Sequence, residues 1–95
     1  MFQARMGVVA RAVTIRQAQT RWGSCSHDDR LMFALRLVLA PCEVIEYVVV
    51  HELAHIKHKH HAREFWREVE AAFPQYRSVR RWLREHEREI MHKLS

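Results

Sequence analysis

Val44-Ile45-Glu46-Tyr47-Val48-Val49-Val50-His51-Glu52-Leu53-Ala54-His55-Ile56 reads either as a β-branched strand or as a helix, and the fold turns on which. Tyr47 to Val50 alone would suit a strand. The apolar pattern, however, runs from Val44 through Val48, Val49 and Leu53 to Ile56, whereas buried strands usually last about 4 to 8 residues. Pro41 is well placed for a first helical turn, and Glu43 and Glu46 put negative charge near a helix N-terminus. Length therefore predicts a helix.

A helix gives His51, Glu52 and His55 a chemical meaning. Residues four apart share a face, so the two imidazoles can aim at one ion while Glu52 stands beside them. Three protein ligands on zinc leave a fourth tetrahedral position for water, whose pKa the metal lowers to about 7, and a glutamate can take its proton as it attacks a carbonyl. Candidates for the third ligand follow closely: His58, His60, His61, Glu64, Glu68 and Glu70. His58 shares the face of His51 but lies about 10 Å further along the axis at 1.5 Å per residue, and three ligands from one straight helix converge poorly. His61 is far enough on for the chain to leave the helix, turn and return. A carboxylate would instead complete a two-histidine, one-glutamate set. Spacing favours His61 and leaves the others open.

Further motifs surround this core. Arg21-Trp22-Gly23-Ser24-Cys25-Ser26, then Arg36, then Leu39-Ala40-Pro41, then Tyr47 to His55, then His61 ahead of Phe65-Trp66, follow one another in an order that resembles the YgjP-like family of zinc metallopeptidases, relatives of the WLM and SprT-type zincins. The resemblance spans residues 14–73. It implies a zincin-like domain, one Zn2+ held by His51, His55 and His61, Glu52 as catalytic base, and a peptide or protein substrate. The chain departs from the family pattern twice. The family generally has additional strands ahead of the Trp-Gly-Ser-Cys segment, where here residues 1–20 precede it, and it tends to place Asn-Trp where Ala34-Leu35 precede Arg36. A metzincin shares the spacing of first and third histidines, but its signature needs glycine at the position of His58 and a downstream methionine turn, and Met91 falls in an amphipathic pattern instead.

The rest of the chain reads as α+β, a single domain over residues 1–95 in which a bound metal contributes noticeably to stability. Alternation from Val13 predicts a strand continuing toward Trp22. Gly23 to Arg30 is a polar turn region, and Leu31 to Leu39 alternates again, which makes a hairpin or small sheet feeding the helix. Phe65, Trp66, Val69 and Phe73 predict a second helix up to Pro74, and Val79, Trp82, Leu83, His86 and Ile90 a third. Trp22, Trp66 and Trp82 are assigned to the core, although the strand holding Arg21-Trp22 suits an edge to which a peptide backbone adds. Arg36, in an apolar strand, should snorkel, pair with a carboxylate or face the cleft. His27 and His92 read as solvated, His58 and His60 as solvent-facing or supporting groups, and His86 as a packing residue.

No run approaches the roughly 18 apolar residues of a membrane span, and no secretory signal is evident, so a soluble cytoplasmic protein is expected. Cys25 and Cys42 lack CxxC spacing and are expected as free thiols. Sixteen Lys and Arg against eleven acids give a net charge of +5 and a pI near 9.9. Arg77, Arg81, Arg84 and Arg88 share one helical stripe that suits phosphates, but a solvated face, partly neutralised by pairs such as Arg81 with Glu85, is the simpler reading, so nucleic acid is not favoured as a partner. The main expectation is a zinc peptidase. Its alternatives are a metal-dependent hydrolase of a nucleotide or amide, and a basic nucleic-acid-binding module with a structural metal.

Overall fold

The computed structural model describes residues 6–18, 21–90 and 93–94. Four strands, β1 (Ala12–Arg16), β2 (Arg21–Cys25), β3 (Arg30–Ala34) and β4 (Lys93–Leu94), form one sheet in the order β1-β3-β2-β4. A hairpin is present as β2 and β3, antiparallel with Gly23 opposite Phe33 and Cys25 opposite Leu31, so Gly23–Cys25, expected in the turn, belong to the strand and the turn is shorter than expected. Its turn is built from short polar side chains. Asp29 adopts φ 67°, a left-handed conformation that aspartate tolerates better than most residues, while the Ser26 hydroxyl and Arg30 Nε both donate to the Asp28 carboxylate. Those two donors pull the Asp28 carboxyl down to about 2.

Two strand expectations need correction. Val13 to Trp22 is not one strand: β1 ends at Arg16, and β3 lies between β1, its parallel neighbour, and β2. Ile15 pairs with Phe33 and Phe33 with Gly23, so Val13 and Ile15 share one face of the sheet with Gly23, while the neighbouring Trp22 is buried on the other. Likewise β3 stops at Ala34, and Leu35–Leu39 is a 3-10 helix. The buried residues there are Ala34 and Leu37, three apart, which is the period of a 3-10 turn, while Leu35, Val38 and Leu39 are exposed. Arg36 therefore leaves the sheet and lines a surface groove with Leu35 and Val38.

Three helices follow: α1 (Cys42–Lys57), α2 (Arg63–Ala72) and α3 (Tyr76–Ile90). Pro41 caps α1 from outside, its carbonyl accepting from the N–H groups of Val44 and Ile45. α1 packs against β2 on one side and against α2 and α3 on others, so it is buried nearly all round. This accounts for its strand-like valines, since a helix enclosed by neighbours is apolar on every face. Trp22 and Leu31 from the sheet, Val44, Tyr47, Val48 and Leu53 from α1, and Phe65, Val69, Val79 and Leu83 from the later helices form the core. Trp66 and Trp82 pack at its margin, and His86 stacks on Trp82 while its Nδ1 donates to the Trp82 carbonyl, as a packing residue should. Cys25 and Cys42 are free. Met91 and His92 lie outside the described residues, as do the side chains of Arg88 and Ile90. Among the described residues, no helix is long and apolar enough to cross a membrane.

Candidate metal centre

The last turns of α1 carry His51 and His55 into the interior, and both are buried. The helix ends at Lys57, with the His58 N–H bonded to the Ala54 carbonyl, and residues 58–62 turn the chain back before α2. The turn returns His61 to the pair. Its Nε2 lies 3.3 Å from Nε2 of His51 and 3.0 Å from Nε2 of His55, and the three possible ligand atoms all fall within 4.8 Å of one another. Nitrogens held at about 2.0–2.1 Å from a tetrahedral zinc stand roughly 3.3 Å apart, so the spacing fits such an ion.

Hydrogen bonds on the far side of two rings reinforce that fit. Nδ1 of His55 is 3.0 Å from the His58 carbonyl oxygen. A carbonyl only accepts, so Nδ1 carries the hydrogen, and Nε2 of the neutral ring presents a lone pair to the centre. Nδ1 of His51 meets the Tyr47 hydroxyl at 3.3 Å, and burial pushes that phenol's pKa well above its ordinary value, so it remains a donor or acceptor and not an anion. Outer nitrogens occupied and inner nitrogens converging is how metal-binding histidines are oriented. His58 instead directs Nε2 toward Glu68 at 3.8 Å, and His60 is exposed.

Aromatic rings wall the cluster. Phe65 stacks on His55 with centroids 4.4 Å apart and meets His51 and His61 edge-on, and Trp66 stacks on His61 at 5.9 Å. Sequence reading assigned Trp66 to the core and gave Tyr47 no role of its own. Spacing could have flagged Tyr47, which precedes His51 by one helical repeat of four residues. Lys59 holds the loop that carries His61: its Nζ donates to the Asp29 carboxylate at 2.5 Å and to the Ser26 carbonyl at 3.3 Å, tying the loop to the β2–β3 turn. Between loop and turn, a cavity of about 240 Å3 is lined by Cys25, His27, His55, Lys59 and His61. Burial pushes the Cys25 thiol up.

Glu52 is fully buried on α1, against the backbone of β2. A Cβ at Gly23 would lie 3.2 Å from Glu52 Cγ, 3.3 Å from its Oε2 and 3.2 Å from the Met32 carbonyl oxygen, so only glycine lets the strand approach the carboxylate this closely. The strand expected to form an exposed edge does not. β4 runs parallel to β2 along its outer side, with Arg21 opposite Lys93 and Gly23 opposite Leu94.

A model of the YgjP-like metallopeptidase domain matches residues 1–86. The chain belongs to the YgjP-like metallopeptidase family. Among solved structures, its fold is similar to that in the crystal structure of the metallopeptidase zymogen of Pyrococcus abyssi abylysin, with a TM-score of 0.81 and 23% sequence identity over 99% of this chain and 92% of that one. Among curated proteins no relative matches. The architecture is that of a zincin-like metallopeptidase, a small sheet followed by three helices.

Proposed function

We propose that the chain is a zinc-dependent peptidase in which His51, His55 and His61 hold the metal through Nε2 and Glu52 is the general base. The convergence of three Nε2 atoms beside the buried Glu52 of the same helix carries this reading. When bound, zinc supplies an electrophile that acidifies water and polarises a carbonyl. Glu52 takes the proton of the attacking water and delivers it to the departing amine nitrogen. Tyr47 and the His58 carbonyl fix the rings of His51 and His55, and Phe65 and Trp66 keep bulk water from the inner side of the cluster.

A peptide is favoured over a nucleotide or small amide because β2, lying against Glu52, offers an extended backbone on which a substrate strand can pair. In the described conformation β4 occupies that ladder, so the full chain is read as a latent form. The abylysin structure, which is that of a zymogen, supports this. With zinc loaded, a chain lacking residues 91–95 is expected to cleave a mixed peptide substrate roughly tenfold faster than the full chain, as freeing a blocked site raises its competent fraction. Mass spectrometry of the products checks this. Equal rates would remove the latency reading, and phosphodiester hydrolysis without peptide cleavage would overturn the peptidase itself.

The basic stripe is the rival basis for function. Arg77, Arg81 and Arg84 are exposed on α3, but Arg77 pairs with Glu70 at 3.3 Å. Only weak duplex DNA binding is expected at physiological salt, falling with a log-log slope of roughly −0.9 per phosphate contact. A tight complex at that salt, lost when Arg77, Arg81, Arg84 and Arg88 become glutamine with zinc content unchanged, would make nucleic acid a partner.

A further inference from the structure

The large apolar side chains exposed among the described residues are gathered on one flank. Val9, Val13 and Ile15 belong to β1 and its approach, and Leu35, Val38 and Leu39 to the 3-10 helix, with Val9 78% and Leu39 83% exposed. Apolar surface gathered in this way marks an interaction site more often than a solvated face. The flank is also a sheet edge. No described strand lies on the outer side of β1, and the β-branched run Val13-Thr14-Ile15 bears neither the proline nor the bulge that commonly protects such edges.

The backbone sets what this edge can pair with. The Arg11 N–H points inward, to the Asp29 carbonyl at the start of β3. Alternation along the strand therefore turns the N–H and C=O groups of Ala12, Thr14 and Arg16 outward. We propose that a second copy of this chain covers the edge, β1 pairing antiparallel with β1 about a two-fold axis through Thr14. In that register Thr14 meets Thr14 and Ala12 meets Arg16 as hydrogen-bonded pairs, using every outward group of the strand. Side chains opposite one another share a face, so Val13 of each copy packs on Ile15 of the other. A register one residue off in either direction would oppose inward to outward backbone groups, and in one direction it would also set Arg11 against Arg16, two like charges facing each other. The strand is self-complementary in hydrogen bonding and in its apolar pairs, and the register keeps Arg11 and Arg16 from facing each other.

Apolar side chains of the 3-10 helix lie next to this edge. The groove of about 400 Å3 lined by Gln17, Ala18, Leu35, Arg36, Val38 and Leu39 adjoins the end of β1 and so borders the paired edge. The pairing makes one continuous sheet with both α1 helices on the same face. Each candidate metal centre lies toward β2, on the far side of β3 from the new interface, so both remain accessible. Such an isologous contact closes on itself and does not propagate into a fibre.

Sedimentation and light scattering across low to high micromolar protein test this. The full chain is expected at twice its 11.4 kDa mass in the upper part of that range. Thr14→Pro removes an outward N–H that β3 does not use, a position where an edge strand tolerates proline, so it is expected to give a monomer with unchanged zinc content and far-UV dichroism. Should that variant misfold, Val13→Lys decides, since it leaves the backbone intact and places charges in the paired apolar layer. A wild-type chain monomeric throughout, or a dimer that survives Val13→Lys, overturns the proposal.

Discussion

Glu52→Gln is expected to lower peptide hydrolysis by about a hundredfold to ten-thousandfold, the usual contribution of a positioned general base, while zinc content and melting temperature stay close to wild type. The amide has nearly the shape of the carboxylate, so it fills the buried space against Gly23 and leaves the helix packing as it was. It cannot accept the proton of the attacking water. The comparison should use the zinc-loaded chain without residues 91–95, so that the two proteins differ only at the carboxylate and not in access to the cleft. Hydrolysis at the wild-type rate by the glutamine variant would show that Glu52 is not the base. A variant that loses zinc along with activity would show that the carboxylate supports the metal centre itself, and the assignment of a purely catalytic role would fail with it.

What the sequence made legible follows from where each signal is stored. The helix around His51 could be read because its periodicity persists from Val44 to Ile56, and the α+β order and the β2–β3 hairpin could be read from alternation interrupted by a polar turn. The break between β1 and β2 had no such signal, because the alternation that starts at Val13 runs on past Arg16 and the odd and even positions of one strand would place Ile15 and Trp22 on the same two faces they occupy. The 3-10 helix at Leu35–Leu39 was harder. Leu35, Leu37 and Leu39 satisfy a period of two as well as any strand, and only the burial of Ala34 and Leu37 shows that the period in use is three. β4 had no local signal, because two residues pair with a strand some seventy positions earlier through backbone groups that carry no sequence identity. Within the site, the histidines and Glu52 were legible as a pattern, whereas the supports were not. Tyr47 acts through its hydroxyl and His58 through its carbonyl, and a main-chain acceptor leaves no trace in the residue type.

His61→Ala should separate a built metal centre from a chance meeting of imidazoles. Mutating residues that merely support a metal ligand typically costs 10- to 100-fold in affinity, so deleting a ligand is expected to cost at least about a hundredfold. At a free zinc concentration that saturates the wild type, metal analysis should then find the variant largely empty, with His51 and His55 left as two ligands from one helix. Stability should follow occupancy. A ligand present at about a hundred times its dissociation constant stabilises the folded state by about 2.7 kcal/mol, and that increment should vanish both in the variant and in the wild type treated with a chelator. The chelator should accordingly lower the melting temperature of the wild type and leave that of His61→Ala nearly unchanged. His58→Ala and His60→Ala serve as the contrast. His58 supports His55 through its main-chain carbonyl, which alanine retains, and the His60 side chain is exposed, so both variants are expected to keep zinc and the chelator response. Full occupancy in His61→Ala would remove His61 from the ligand set and, with it, the three-nitrogen geometry on which the peptidase reading stands, whereas loss of zinc in His58→Ala would show that the His58 ring also holds the centre together.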